Sequence, residues 1–324
     1  MDVLAGLLDG PRARGAFLLR ALMQPPWSMR ILDEAPLTLI AIVRGEAWIA
    51  TDDGEAVHLG AGDIAVATGP DPYTVADTPG RTTDIVVYPG QACRSLSGEP
   101  LEMTMRLGVR TWGNDPDSST VMLIGAYESL GEISQSLLSS LPPLLTLARD
   151  QWDTPLIPLL NDEVANDEPG QSAVLDRLLD LLLIAALRAW FIRNETEAPG
   201  WYRAAGDPIV GPVLHRIHDR LDAPWTVARL AAEAGLSRAA LAKRFHTLVG
   251  KPPMTYVTER RLALAADLLR EPGATVASVA PQVGYGSPFA LSTAFKRQRG
   301  ITPQEHRAAA NPKGPGVRPI RPTP

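Results

Sequence analysis

A chain of 324 residues is too long for one ordinary core and suits two domains of roughly 100 to 200 residues each. Its 45% apolar and 21% charged residues let both halves bury a core, which excludes disorder as the default state. The single cysteine, Cys93, excludes an intramolecular disulfide and a cysteine-based zinc site and fits a reducing compartment, the cytoplasm. The net charge of −5 conceals an asymmetry: Asp207 to Pro324 holds 17 Lys+Arg against 8 Asp+Glu, net +9, and the remainder is net −14. The C-terminal part is therefore suited to a polyanion, although charge alone does not separate nucleic-acid binding from a merely solvated surface. The opening residues MDVLAGLLDGPRARG lack a basic stretch followed by an apolar one, so no secretory signal is expected.

From Pro36 to Val87 the chain reads as short strands between turn signals: Thr38 to Val43, Glu46 to Thr51, Ala56 to Leu59, Asp63 to Ala67, Tyr73 to Ala76 and Thr83 to Val87. Asp53-Gly54 suits a hairpin turn, and Gly60-Ala-Gly62-Asp63 another. Two further apolar runs, Met103 to Val109 and Val121 to Ala126, complete the set. Closely spaced antiparallel strands without helices predict an all-β barrel or sandwich over residues 1–130. Trp27, Trp48 and Tyr73 are candidates to line a small-molecule pocket within it, against the alternative that each is simply core.

Residues 131–193 are predicted to form a helical connector. Within it Ala173 to Ile192, AVLDRLLDLLLIAALRAWFI, is long and apolar enough to raise a membrane span, but Asp176, Arg177, Asp180 and Arg188 share one side. An amphipathic helix is expected instead, with no membrane partner. Its second half adds Ile184, Leu187 and Phe191 to the polar side. Such a helix needs partners on two faces: the barrel, and either the same helix of a second subunit in a homodimer or more of its own chain. Residues 194–207, with Pro199-Gly200 and Gly206, read as a linker.

Residues 208–310 contain a repeat. Thr226…Gly235, Ser237…Phe245, Gly250 and Pro253 recur as Thr275…Gly284, Ser287…Phe295, Gly300 and Pro303, with identical offsets from Ser to Phe, Phe to Gly and Phe to Pro. Each threonine can cap a short helix, each glycine following it can end that helix, and each serine can cap a second, with Pro288 at the first helical position of the later copy. The expectation is an all-α domain of two helix-turn-helix units, 226–249 and 275–299, joined by a helix from about Pro253 to Leu269. Leu241, Phe245 and Leu248, and likewise Leu291 and Phe295, should face inward. The opposite stripes are the candidate base-facing residues: Arg238, Ala239, Ala242, Lys243 and His246 in the first unit, and Phe289, Ser292, Thr293 and Lys296 in the second. Ala239, Ala242, Phe289 and Thr293 offer mainly apolar or short contacts, for example to thymine methyl groups, so specificity is expected to rest on Arg238 and Lys243. Candidate phosphate contacts are Ser237, Arg260, Arg261, Ser287, Arg297, Arg299 and Thr302. For all of these the plain alternative is a solvated helix face. Residues 311–324 read as a disordered basic tail.

These residues resemble the AraC/XylS family of transcription regulators from about Pro208 to Arg307. The fingerprint is carried by Leu230-Ala231, Gly235-Leu236-Ser237, Phe245, Gly250, Pro253, Arg261, Ala265, Leu268-Leu269, Val283-Gly284-Tyr285, Ser287, Phe295-Lys296, Gly300, Pro303 and Arg307. The resemblance implies two helix-turn-helix units that insert their second helices into the major groove of double-stranded DNA. Pro281, inside the first helix of the second unit, departs from the expected pattern and predicts altered docking there. The N-terminal half resembles the cupin-type sensor of one subgroup of that family, on the runs Arg44-Gly-Glu-Ala-Trp48 and Leu59-Gly-Ala-Gly-Asp63. Catalytic cupins hold a metal with histidines and a carboxylate. His58 is the sole histidine before His215, and Ile40 and Tyr73 stand where related sensors often carry histidine. No metal, cofactor or enzyme activity is therefore expected, with His58 structural and Glu46 and Asp63 turn or surface residues. The reading is a cytoplasmic, dimeric regulator whose barrel binds a small effector, with RNA polymerase a further candidate partner. The rivals are a cupin-type enzyme or carrier, and a regulator whose N-terminal half only dimerises.

Overall fold

The computed structural model describes residues 16–127, 141–152, 154–194 and 198–310. The chain divides into two compact units, one ending at Pro199 and the other beginning at Gly200. The expected tail 311–324 lies outside the described residues, as do residues 128–140 at the expected boundary between barrel and connector.

The first unit packs two sheets face to face. One runs β10 (Arg106–Gly108), β11 (Thr111–Gly113), β1 (Phe17–Met23), β12 (Thr120–Tyr127), β3 (Leu37–Arg44), β6 (Ile64–Thr68), β13 (Leu144–Leu147). The other runs β5 (Val57–Gly60), β4 (Glu46–Thr51), β7 (Tyr73–Ala76), β2 (Ser28–Ile31), β8 (Ile85–Tyr88), β9 (Ala92–Ser95). Pairing is antiparallel except β1 with β11 and β2 with β8. The expected strands are present, Met103 to Val109 only as Arg106–Gly108, and β1, β2, β9, β11 and β13 join them. β1 reads FLLRALM, residues that favour helices, yet it is held between β11 and β12 by ladder pairing. The core between the sheets includes Met23, Trp27, Ile40, Ile42, Ile49, Val75 and Met122.

β3 is buried on both faces because helices cover the outer side of its sheet. These are α1 (Leu156–Ala165) and α2 (Gln171–Arg193), preceded by a 3-10 turn at Arg149–Gln151. Gly125 of β12 makes room: a Cβ there would lie 2.5 Å from the Leu179 side chain of α2. α2 buries Leu175, Leu179, Leu182, Leu183, Leu187, Trp190 and Phe191. Its exposed stripe therefore differs from the expected one: Leu187 and Phe191 are inside, Asp176 and Asp180 are half-buried, and Val174, Arg177, Leu181, Arg188 and Ile192 face outward. Charge position alone misplaced the stripe, because Asp180 lies under the Tyr127 hydroxyl, which donates to it at 3.5 Å.

The second unit is all helical: α3 (Gly200–Ala205), α4 (Val210–Asp219), α5 (Val227–Glu233), α6 (Arg238–Val249), α7 (Pro253–Arg270), α8 (Val276–Gln282), α9 (Pro288–Arg299) and α10 (Pro303–Ala310). The expected linker 194–207 thus ends earlier. Gly200–Ala205 is a helix packed on α6, close enough that a Cβ on Gly200 would lie 2.8 Å from the Leu248 carbonyl. Asp207 caps α4 by accepting from the Ile209 and Val210 amides, and it accepts from Arg244 Nη2 at 2.7 Å. Residues 195–197 of that stretch lie outside the described residues.

Candidate nucleic-acid interface

Each helix-turn-helix unit is fixed locally by its caps. Thr226 Oγ1 accepts from the Arg229 amide at 3.1 Å and Ser237 Oγ from the Ala240 amide at 3.2 Å. In the second unit Thr275 and Ser278 cap one another reciprocally, and Ser287 Oγ accepts from the Ala290 amide at 3.2 Å. Gly250 and Gly300 end the second helices at φ 84° and 76°, a left-handed conformation that favours glycine. Leu241, Phe245 and Val249 of α6, and Leu291 and Phe295 of α9, are buried; Val249 takes the place expected of Leu248, which is half-buried.

The opposite faces are open. On α6, Arg238, Ala239, Lys243 and His246 are exposed and Ala242 is half-buried; on α9, Phe289, Thr293, Lys296 and Arg297 are exposed and Ser292 is half-buried. Several cations elsewhere in this unit are paired, Arg216 and Arg229 with Glu233, Arg244 with Asp207, and Lys251 with Glu259. Arg244 holds the Asp207 carboxyl down to about 2. Arg238, Lys243, Lys296 and Arg297 have no intramolecular ion pair or hydrogen bond among the described residues. Cations without an ion pair thus stand on both open helix faces, an arrangement a polyanion rewards.

Four expected phosphate contacts fall elsewhere. Arg260 is only 8% exposed, inside α7 near Tyr256, and burial lowers its pKa. Arg261 is a strut: Nε donates to the Leu221 carbonyl at 2.9 Å, Nη2 to Ala223 at 2.5 Å and Nη1 to Gly284 at 3.1 Å, tying the segment before α5 to the turn of the second unit. Thr302 spends its amide and hydroxyl on Glu305 Oε2, at 2.6 and 2.8 Å, so a carboxylate already sits where a phosphate was expected. Arg299 is half-buried with its guanidinium 5.2 Å from the Phe295 ring centre. Tyr256 and Phe295 lie one turn back on the same helices as Arg260 and Arg299, and Glu305 three residues after Thr302, whereas the carbonyls that hold Arg261 come from other segments. Ser237, Ser287 and Arg297 remain on the exposed side.

One buried pair escaped the sequence reading. His218 Nε2 lies 2.7 Å from the Tyr256 hydroxyl, and burial, reinforced by Arg260, pushes the imidazole down to about 3, so it is neutral in the fold.

In the first unit the three pocket candidates part company. A cavity of about 650 Å³ opens beside Trp27, with Met23, Arg81, Asp84, Ile85 and Met105 among its lining. Trp27 Nε1 is buried with no hydrogen-bond partner, and Arg81 Nε donates to the buried Asp77. Tyr73 is core and does not line this cavity. Trp48 lies on the other face of β4, its ring 5.0 Å from His58, because Ala47 and Ile49 take the inward parity of the strand. His58 Nε2 is in hydrogen-bond contact with Glu46 Oε2 at 2.9 Å, and Asp63 accepts from the Gly60 and Arg149 amides at 2.7 Å each. Among the described residues no group of three or more His, Cys, Asp or Glu is placed to hold a metal, and no helix is long and apolar enough to cross a membrane.

Comparison with known proteins agrees with both units. Residues 2–192 match the model of the cupin family and residues 230–309 that of a helix-turn-helix domain. The chain is 30% identical over 316 residues to a Streptomyces lividans protein described as an AraC-like transcription regulator, spanning 95% of this chain and 98% of that one. It is 25% identical over 314 residues to the HTH-type transcriptional regulator AlkR of Acinetobacter baylyi, spanning 95% and 99%. Its C-terminal part is also similar to the DNA-binding domain of AdpA, solved in complex with a target DNA, at 33% identity and TM-score 0.31 over 34% of this chain and 100% of that one. These relatives are regulators rather than enzymes, and with a cupin domain followed by two helix-turn-helix units the chain belongs to the AraC-like transcription regulators.

Proposed function

We propose that this regulator reads its operator with Arg238, Ala239, Ala242, Lys243 and His246 in one major groove and Phe289, Ser292, Thr293 and Lys296 in another, steadied on phosphates by Ser237, Ser287 and Arg297. The observation that carries this reading is that Arg238, Lys243, Lys296 and Arg297 stand exposed, without an ion pair among the described residues, on the open faces of α6 and α9. A small effector enters the cavity beside Trp27. Binding there shifts the equilibrium between two presentations of the DNA-binding units, by as much as the ligand's affinity differs between them. The protein works in the cytoplasm as a homodimer through the exposed stripe Val174, Leu181 and Ile192 of α2, and contacts RNA polymerase at its promoters.

The first test is genome-wide mapping of binding, followed by footprints with wild type and Lys243→Ala. Two protected half-sites that weaken in the variant are expected; a protein without any discrete footprint sinks the reading. Thr82→Trp, on the cavity rim, should leave operator binding intact and abolish the response of the mapped promoters to growth conditions. A full response in that variant would leave the first unit with dimerisation alone.

A further inference from the structure

Phe289 is 80% exposed, the most exposed of the large apolar side chains among the described residues. It stands second in α9, after the Ser287 cap and Pro288, on the same face as Ser292, Thr293 and Lys296 and opposite the buried Leu291 and Phe295. An aromatic ring left in water has no internal reason for its place, since nothing among the described residues of its own unit covers it. In a helix-turn-helix unit the N-terminal residues of the second helix are those that reach base edges. The matching turns of α6 carry Arg238 and Lys243; those of α9, from Pro288 to Phe295, carry no arginine, lysine, asparagine or glutamine, so bidentate pairing with guanine or adenine is not available from its first two turns. The one distinctive apolar feature of the major groove is the thymine 5-methyl group. Lys296 and Arg297, about two turns on, supply the charge that holds such a face against the duplex.

We infer that Phe289 is a specificity-determining residue that packs on a thymine 5-methyl group, so that the second unit reads shape and methyls where the first reads polar base edges. This rests on the DNA-reading assignment above. The test starts from operators selected by the full chain from random duplexes. Each thymine is then replaced in turn by deoxyuridine, which removes the methyl and preserves pairing. For wild type, one thymine in the half-site protected by the second unit should weaken binding about four-fold, the worth of roughly one methylene-sized group. Phe289→Ala should bind the thymine and deoxyuridine duplexes equally, and Phe289→Leu should retain part of the difference. Equal sensitivity in wild type and Phe289→Ala, or insensitivity at every thymine, overturns the inference. So does a Phe289→Ala protein that binds every duplex like wild type but fails to recruit RNA polymerase, which would assign the ring to a protein partner. Failure to select any operator would instead strike the DNA-reading assignment itself.

Discussion

The two helix-turn-helix units share one skeleton and carry two different surfaces. In both, a threonine and a serine cap the helices, a glycine turns the chain and a phenylalanine, Phe245 or Phe295, closes the core. Outside that skeleton they diverge. The first unit braces α5 with ion pairs from Arg216 and Arg229 to Glu233 and presents Arg238, Lys243 and His246. The second bears Pro281 within α8, leans on the Arg261 strut and presents Phe289. Burial and capping tolerate few residue types at each position, while an exposed face tolerates many, so duplicated units keep their interiors and specialise their surfaces.

Four experiments would sharpen or break that comparison. Phe245→Ala and Phe295→Ala should each cost about 3–5 kcal/mol of stability, equally if the skeletons are equivalent, in denaturant unfolding of the full chain. A gap of more than about 2 kcal/mol between them would show that the skeletons are not interchangeable. The turn glycines should separate the units instead. Gly235→Ala, with open space around the new Cβ, should cost about 1–2 kcal/mol for the left-handed backbone alone. Gly284→Ala should cost more, because its Cβ would lie 2.6 Å from both Arg261 Nη2 and the Asp222 carbonyl. Equal losses would show that the strut yields freely.

On the surface, Lys243→Ala should weaken operator binding roughly ten-fold, about 1.4 kcal/mol, and Thr293→Ala far less, by gel shift at fixed salt. The reverse order would make the second unit the main reader. Smallest per step is the acid response. His218 titrates near 6.5 when unfolded and about 3 when folded, so between those values the unfolded chain binds the extra proton. Stability should therefore fall as pH drops below 6.5, with a slope of at most about 1.4 kcal/mol per pH unit from this group. His218→Gln should flatten that segment of the stability–pH profile, and an unchanged slope would remove His218 as its source.

The helical half was legible because its signals are local. Identical spacing from Ser237 to Phe245 and from Ser287 to Phe295, with caps before and glycines after, states each unit within about 25 residues. The sheet strands from Thr38 to Val87 were legible through turn signals and alternation, but β1, whose residues carry no period-2 pattern, and β2, only four residues long, were not, and both depend on distant ladder partners. In the candidate site, the exposed faces of α6 and α9 followed from helical periodicity, whereas the fate of each arginine did not. Arg260, Arg261, Arg297 and Arg299 have the same side chain, and only the presence or absence of Tyr256, the Leu221 and Gly284 carbonyls and the Phe295 ring separates buried strut from free cation.

The sequence by itself therefore determined the two-part organisation, the duplicated helix-turn-helix and the helix faces left for DNA, because caps, turns and periodic burial act over a few residues. Tertiary structure decided that Trp27 rather than Trp48 borders the cavity, that α2 buries Leu187 and Phe191, and that Arg261 holds carbonyls instead of phosphates. Each of these depends on strand parity, or on a neighbour brought from tens of residues away, and neither is written in the local pattern.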